Sequence, residues 1–139
     1  MDKALNFLAL AKKARLAELG EEPVGAITRT GKGYLVMVAS DASDHTWRRA
    51  KSFVAGTEQQ CIRLPFTKDE LGFVVGRTSL AIAAITDVAM AAAFVKALPE
   101  PGKYAAASQA LEQKAAKQKQ RKDEAKAHQR NVRTGKKNK

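Results

Sequence analysis

Two short runs of unbroken apolar residues constrain this chain most: Tyr34-Leu35-Val36-Met37-Val38-Ala39 and Leu80-Ala81-Ile82-Ala83-Ala84-Ile85. Neither alternates apolar with polar residues, as a strand with one wet face would. Each therefore reads as a strand buried on both faces, which requires helices above and below the sheet. The segments between and around them supply helical patterns. Asp2 can cap a first helix running to about Glu18, with Leu5, Leu8 and Ala11 on its apolar face. Gly20 breaks it, and a short second helix is expected from about Pro23 to Arg29, followed by the turn Thr30-Gly31-Lys32-Gly33. Asp41 or Ser43 can cap a third helix carrying Trp47, Ala50 and Val54. A shorter strand follows around Gln60–Leu64. Thr67-Lys68-Asp69-Glu70 matches a capping box at the start of a short helix, and Gly76-Arg77-Thr78-Ser79 reads as a loop. Thr86 or Asp87 opens a last helix with Met90, Ala93, Phe94 and Ala97 at helical spacing, ended by Pro99 and Pro101. Strands alternating with helices predict an α/β fold, a three-layer α/β/α sandwich on a small mixed sheet.

Charge divides the chain. Residues 1–102 carry 13 Lys/Arg against 11 Asp/Glu, a net +2, whereas residues 103–139 carry 12 against 3, a net +9. The expected organisation is an α/β domain over 1–102 and a basic Ala/Lys/Gln-rich tail over 103–139. Ala105–Ala127 has high helix propensity but no large apolar stripe. The tail is therefore expected to be disordered or partly helical, without tertiary packing to hold it. A segment this basic points to a polyanionic partner, nucleic acid before others, and also fits a merely solubilising appendage. The lone Cys61 excludes an internal disulfide framework. No run of about 18 apolar residues exists that could span a bilayer, and the N-terminus does not read as a signal peptide. A cytoplasmic protein with no membrane partner is the expectation.

The catalytic inventory is thin. His45 and His128 are far apart in sequence, and with one cysteine they do not give zinc-ligand spacing. Cys61 in a strand reads as a small buried hydrophobe. Gly31-Lys32-Gly33 lacks the glycine spacing and following Ser/Thr of a phosphate loop and precedes a strand, so it reads as a turn. Glu21 and Glu22 are neighbours in a loop, which does not make an acid/base pair. No catalytic residue, metal site, cofactor or small-molecule substrate is expected, and the protein is read as a non-enzyme. Binding chemistry has more support. Gly20 sits at the mouth of a short helix whose first N–H groups can meet phosphate oxygens. Lys12, Lys13 and Arg15 lie just upstream, and Arg77-Thr78-Ser79 forms a second polar loop.

Several segments in the same order carry a family resemblance. They are Leu8-Ala9-Leu10-Ala11 leading to Gly20-Glu21-Glu22, the strand Leu35–Val38 running into Ala39-Ser40-Asp41-Ala42-Ser43, Phe66-Thr67-Lys68-Asp69-Glu70-Leu71-Gly72, and Thr86-Asp87. Over residues 3–98 the chain resembles the L-seven-a-e/L-thirty-e ribosomal-protein superfamily, in particular its short bacterial branch. That resemblance implies an α/β/α sandwich that recognises kinked RNA, above all the kink-turn with its sheared G·A pairs and extruded nucleotide. It implies two RNA-binding surfaces: Gly20, Glu21, Glu22, Pro23 and Ala26, and, before the last strand, Val75, Gly76, Arg77, Thr78 and Ser79. The implied partner is structured RNA, with ribosomal RNA and the ribosome among the candidates. Where strong kink-turn binders carry Asn, Glu and Lys, this chain has Glu22, Pro23 and Ala26, and Arg15 stands where a glycine would be expected. Pro23 and Ala26 offer neither a side-chain donor nor a positive charge. The alternative is therefore a protein-interaction module on the same fold that has lost specific kink-turn binding.

Overall fold

The computed structural model describes residues 2–133. Helix α1 (Lys3–Lys13) is followed by strand β1 (Ala17–Leu19) and helix α2 (Glu21–Arg29), then β2 (Leu35–Val38) and α3 (Asp44–Val54). The chain continues through β3 (Gln60–Arg63), α4 (Lys68–Val75), β4 (Ile82–Ile85) and α5 (Val88–Lys96). It ends with a 3₁₀ turn (Pro101–Tyr104) and α6 (Ala105–Arg133). The four strands lie in the order β1-β4-β2-β3. β2 and β3 are parallel, while β4 runs antiparallel to both β1 and β2. The sheet is thus mixed and small, as expected.

Both sheet faces are covered. Leu35, Met37, Ala83 and Ile85 point into the larger core with α1, α4 and α5, while Val36, Val38, Ile82 and Ala84 meet α2 and α3. This alternation within unbroken apolar runs is why those runs contain no polar residue. The chain is an α/β/α sandwich.

The ends of the elements follow local chemistry. Asp2 caps α1 by accepting the Ala4 N–H at 2.8 Å. Ser43 caps α3, accepting the Thr46 N–H. Asp41 instead reaches across to accept the Lys68 N–H at the start of α4. Thr67 and Glu70 form the expected reciprocal capping box, and Asp87 caps α5 by accepting the Met90 N–H.

Two boundaries differ from the sequence reading. The first helix stops at Lys13 and does not reach Glu18, because Arg15 turns the backbone into the left-handed region (φ 63°). The Arg15 N–H then bonds Lys12 O and the Leu16 N–H bonds Ala11 O, a Schellman motif that frees Ala17–Leu19 to pair with Ala83–Ile85. The second helix begins at Glu21 rather than Pro23, with Gly20 (φ 99°) as its first flanking residue and Pro23 within the first turn.

The third difference lies in the basic segment. Residues 105–133 form one continuous helix, and its first turns belong to the core. Tyr104, Ala107 and Leu111 recur at three- and four-residue spacing and are buried against the larger core cluster. The Tyr104 hydroxyl donates to Arg63 O. Lys96 pairs with Glu112 at 3.1 Å, and Lys114 with Glu58 at 3.5 Å. The expectation that no packing could hold this helix is therefore corrected over its first turns. One small residue, Ala107, stands between Tyr104 and Leu111 in a narrow stripe, whereas a count of large apolar residues within Ala105–Ala127 finds only Leu111. From Lys119 to Gln129 the side chains are exposed, apart from the half-buried Ala127.

Candidate functional site

The two loops singled out in the sequence converge because β1 and β4 are antiparallel. Leu19, the last residue of β1, pairs with Ala83 near the start of β4. The chain leaving β1 at Gly20 therefore emerges beside the loop that enters β4. The Gly20 N–H donates to Ile82 O at 3.0 Å, tying the first loop to the mouth of that strand. A Cβ placed on Gly20 would lie 3.8 Å from Arg77 Nη1, and one on Gly76 would lie 3.9 Å from Lys12 Nζ. Arg77 thus reaches from the second loop to the first, and Lys12 reaches from α1 to the second.

The first surface is the exposed beginning of α2. Glu22, Pro23 and Ala26 are exposed, and Gly20 and Glu21 are half-buried. The turn is fixed from beneath: Val24 and Thr28 are buried, and Gly25 packs so closely on Phe53 that an added Cβ would meet its ring at 3.1 Å. Helix α2 has no side-chain cap, so the Glu21 and Glu22 N–H groups face the loop with no hydrogen-bond partner among the described residues. Such groups favour anions. Glu21 is already engaged, however, accepting from Arg49 Nε at 2.7 Å, with both side chains exposed. Glu22 is left as the carboxylate in the first turn that makes no ion pair among the described residues.

The second surface rests on close backbone packing. Helix α4 ends in a Schellman motif: Gly76 is left-handed (φ 76°), its N–H bonds Phe73 O, and the Arg77 N–H bonds Gly72 O. Gly72 sits where a Cβ would approach Ser79 N at 2.7 Å and Arg77 O at 2.8 Å, so only glycine lets the loop fold back onto the helix. Gly76, Arg77, Thr78 and Ser79 are exposed. Val75 is not: at 2% exposure it belongs to the core, which corrects the expectation that it lies on the binding surface. Its part is to hold the loop from below.

The arrangement brings Lys12, Arg77 and an uncapped helix start to one end of the sheet. It offers cationic and N–H groups to an anionic, shaped ligand. Arg49 is the residue that the sequence gives no reason to place here, since its partner Glu21 is 28 positions away. Among the described residues no three His, Cys, Asp or Glu side chains stand together as a metal site, and no helix is long and apolar enough to cross a membrane. Burial pushes the Cys61 thiol up to about 11, with Lys51 opposing the rise, and His45 is exposed.

No protein-family model matches the chain. Among solved structures, a protein of unknown function from Bacillus halodurans superposes with a TM-score of 0.66 at 24% identity, over 72% of this chain and 100% of that one. A Giardia lamblia 15.5kD RNA binding protein superposes with a TM-score of 0.53 at 19% identity, over 74% of this chain and 85% of that one. At those identities the likeness is one of fold. The RNA-binding protein YlxQ of Enterococcus faecium is 35% identical over 75 residues, which is 54% of this chain and 72% of that protein. The chain belongs to the family of that RNA-binding protein, YlxQ.

Proposed function

We propose that the protein is a non-enzymatic RNA-binding protein of the ribosome or translation apparatus, acting in the cytoplasm. On this reading it is a member of the L-seven-a-e/L-thirty-e superfamily that takes structured, kinked RNA at the sheet end where α2 begins. The observation that carries this is the approach of Arg77 Nη1 to Gly20, which makes one surface of two loops. An uncapped helix start and a guanidinium side by side suit a backbone that bends sharply and brings phosphates together. That the YlxQ relative is an RNA-binding protein supports RNA as the ligand. The near-neutral sandwich supplies shape selectivity. The basic residues 103–139 add affinity that depends on charge rather than sequence.

The deciding experiment titrates the full chain against a kink-turn RNA and a straight duplex of equal length over a salt series. Preference for the kinked RNA, with a log–log salt slope of about −4 to −5 if six cations meet phosphates, is expected. Arg77→Ala should weaken the kinked RNA more than the duplex. Equal binding of both RNAs by the parent chain would overturn the selective reading. A second reading, a protein-interaction module on the same fold, is favoured by one observation. Pro23 and Ala26 are exposed on the first surface and offer no donor or charge to RNA. Failure of the full chain to bind either RNA at low salt would overturn the first reading and favour the second.

A further inference from the structure

A second cationic cluster lies on the same face and at the same end of the sheet, at the edge strand β3. Arg63, the last residue of β3, sets its guanidinium 4.9 Å from the centroid of the Trp47 ring, and Lys51 Nζ lies 5.3 Å from the same centroid. Two of the guanidinium nitrogens, Nε and Nη2, are buried with no hydrogen-bond partner. Neither Arg63 nor Lys51 has a carboxylate within ion-pair distance among the described residues. Burial without an acceptor leaves this guanidinium under-solvated, so an anion that reaches its one uncovered nitrogen, Nη1, is favoured there, with Lys51 over the same indole as a further cation. The indole fixes the guanidinium plane, so an incoming group meets it at Nη1 without first ordering a long side chain.

Register connects this cluster to the loops. Arg63 aligns with Val38, Val38 with Ile82, and the Ile82 carbonyl accepts the Gly20 N–H. Gly20 and Arg63 are therefore about three strand spacings, roughly 14 Å, apart along one end of the sheet. Trp47 packs with Val36, Val38 and Cys61 on the face that α2 also covers. Arg49, also on α3, joins that helix to α2 through Glu21, and the exposed Arg48 precedes it.

We propose that Arg63, Lys51 and Trp47 form a phosphate-binding site for the RNA strand that leaves the α2 surface and crosses α3. This rests on the RNA-binding reading above and extends its footprint to a flank that the two loops do not reach. Trp47 is the sole tryptophan of the chain, so it reports on the site directly.

The test measures RNA binding by anisotropy and by Trp47 emission for the full chain, Arg63→Gln, Lys51→Gln, and Arg29→Gln as a charge-matched control at the far end of α2. Expected are a Trp47 emission change in the parent that tracks the binding curve, and a loss of about fivefold near 0.1 M salt for Arg63→Gln and Lys51→Gln. The salt slope should become shallower by about 0.7–0.9 in each, as for one phosphate contact removed. Arg29→Gln should lose less than either. Lys51 is exposed, so its variant keeps the test sound if Arg63→Gln melts early. Parent-like affinity and slope in Lys51→Gln, with Arg77→Ala still impaired, would overturn this site and leave the loop surface standing. A parent chain that binds no RNA would overturn both.

Discussion

Arg15 shows how a single residue can hide a fold boundary. Its backbone is left-handed (φ 63°), a conformation that costs a side-chain-bearing residue about 1–2 kcal/mol and glycine almost nothing. An arginine between Ala14 and Leu16 reads as helix, so the end of α1 and the existence of β1 are illegible, although Arg15 stands where the resemblance expects a glycine. Arg15→Gly should raise the unfolding free energy by up to about 1 kcal/mol, measured by urea denaturation. It should also make the RNA-binding salt slope shallower. Deeper binding salt dependence with no gain in stability would contradict that account. Cys61 offers a second test. Its thiol ionises near 9.0 when unfolded and only at about 11 in the folded chain, because burial disfavours the thiolate. The folded pKa is the higher one, so the stability this implies is complete below pH 9 and is lost as pH rises toward 11. Burial also raises the Tyr104 hydroxyl, with Glu100 adding to the rise, and acts in the same direction above pH 10. Cys61→Ala should show a smaller fall in thermal midpoint between pH 8 and pH 10.5 than the parent. An identical fall would mean that the thiol takes no part.

At the scale of elements, legibility follows from whether the signal is local. Helix α4 can be read in full, because Thr67 and Glu70 announce its start and Gly76 its end within ten residues. Strands β2 and β4 are equally plain, since burial on both faces leaves no polar residue in them. The convergence of the two loops is not local. It depends on β1 pairing with β4 in the antiparallel sense, and three residues as helix-prone as Ala17-Glu18-Leu19 give no sign of it. Gly72 is the element-scale hinge of the second surface. A Cβ there would press on backbone atoms, which cannot swing aside as a side chain does. Gly72→Ala should destabilise the fold by about 1–3 kcal/mol. It should also weaken kinked RNA more than it weakens a straight duplex. A stable Gly72→Ala protein with unchanged RNA preference would show that the loop has room to adjust.

The whole molecule is less divided than its charge. Tyr104, Ala107 and Leu111 sit in the core cluster, and Asp87 and Ala89 line a shallow hollow with Ala115, Gln118 and Lys119. A chain cut after residue 102 should therefore lose stability by about 2–4 kcal/mol, as expected when a buried Leu and Tyr leave a core. A chain cut after residue 118 should melt within a few degrees of the parent while losing much of its salt-dependent affinity. Equal melting points for the two truncations would show that the packed turns of α6 contribute nothing. Net charge warns of a basic appendage, but a docking stripe of one Tyr, one Ala and one Leu is too thin for a hydropathy count to register. The exposed stretch of α6 from Lys119 to Gln129 runs about 16 Å at 1.5 Å per residue. That is about twice the roughly 8 Å over which salt screens a charge in a cell. A body of net +2 with a further +9 in residues 103–139 feels a turning force near a polyanion. Such a chain should turn toward alignment before contact, so cutting it after residue 118 is expected to slow association with RNA.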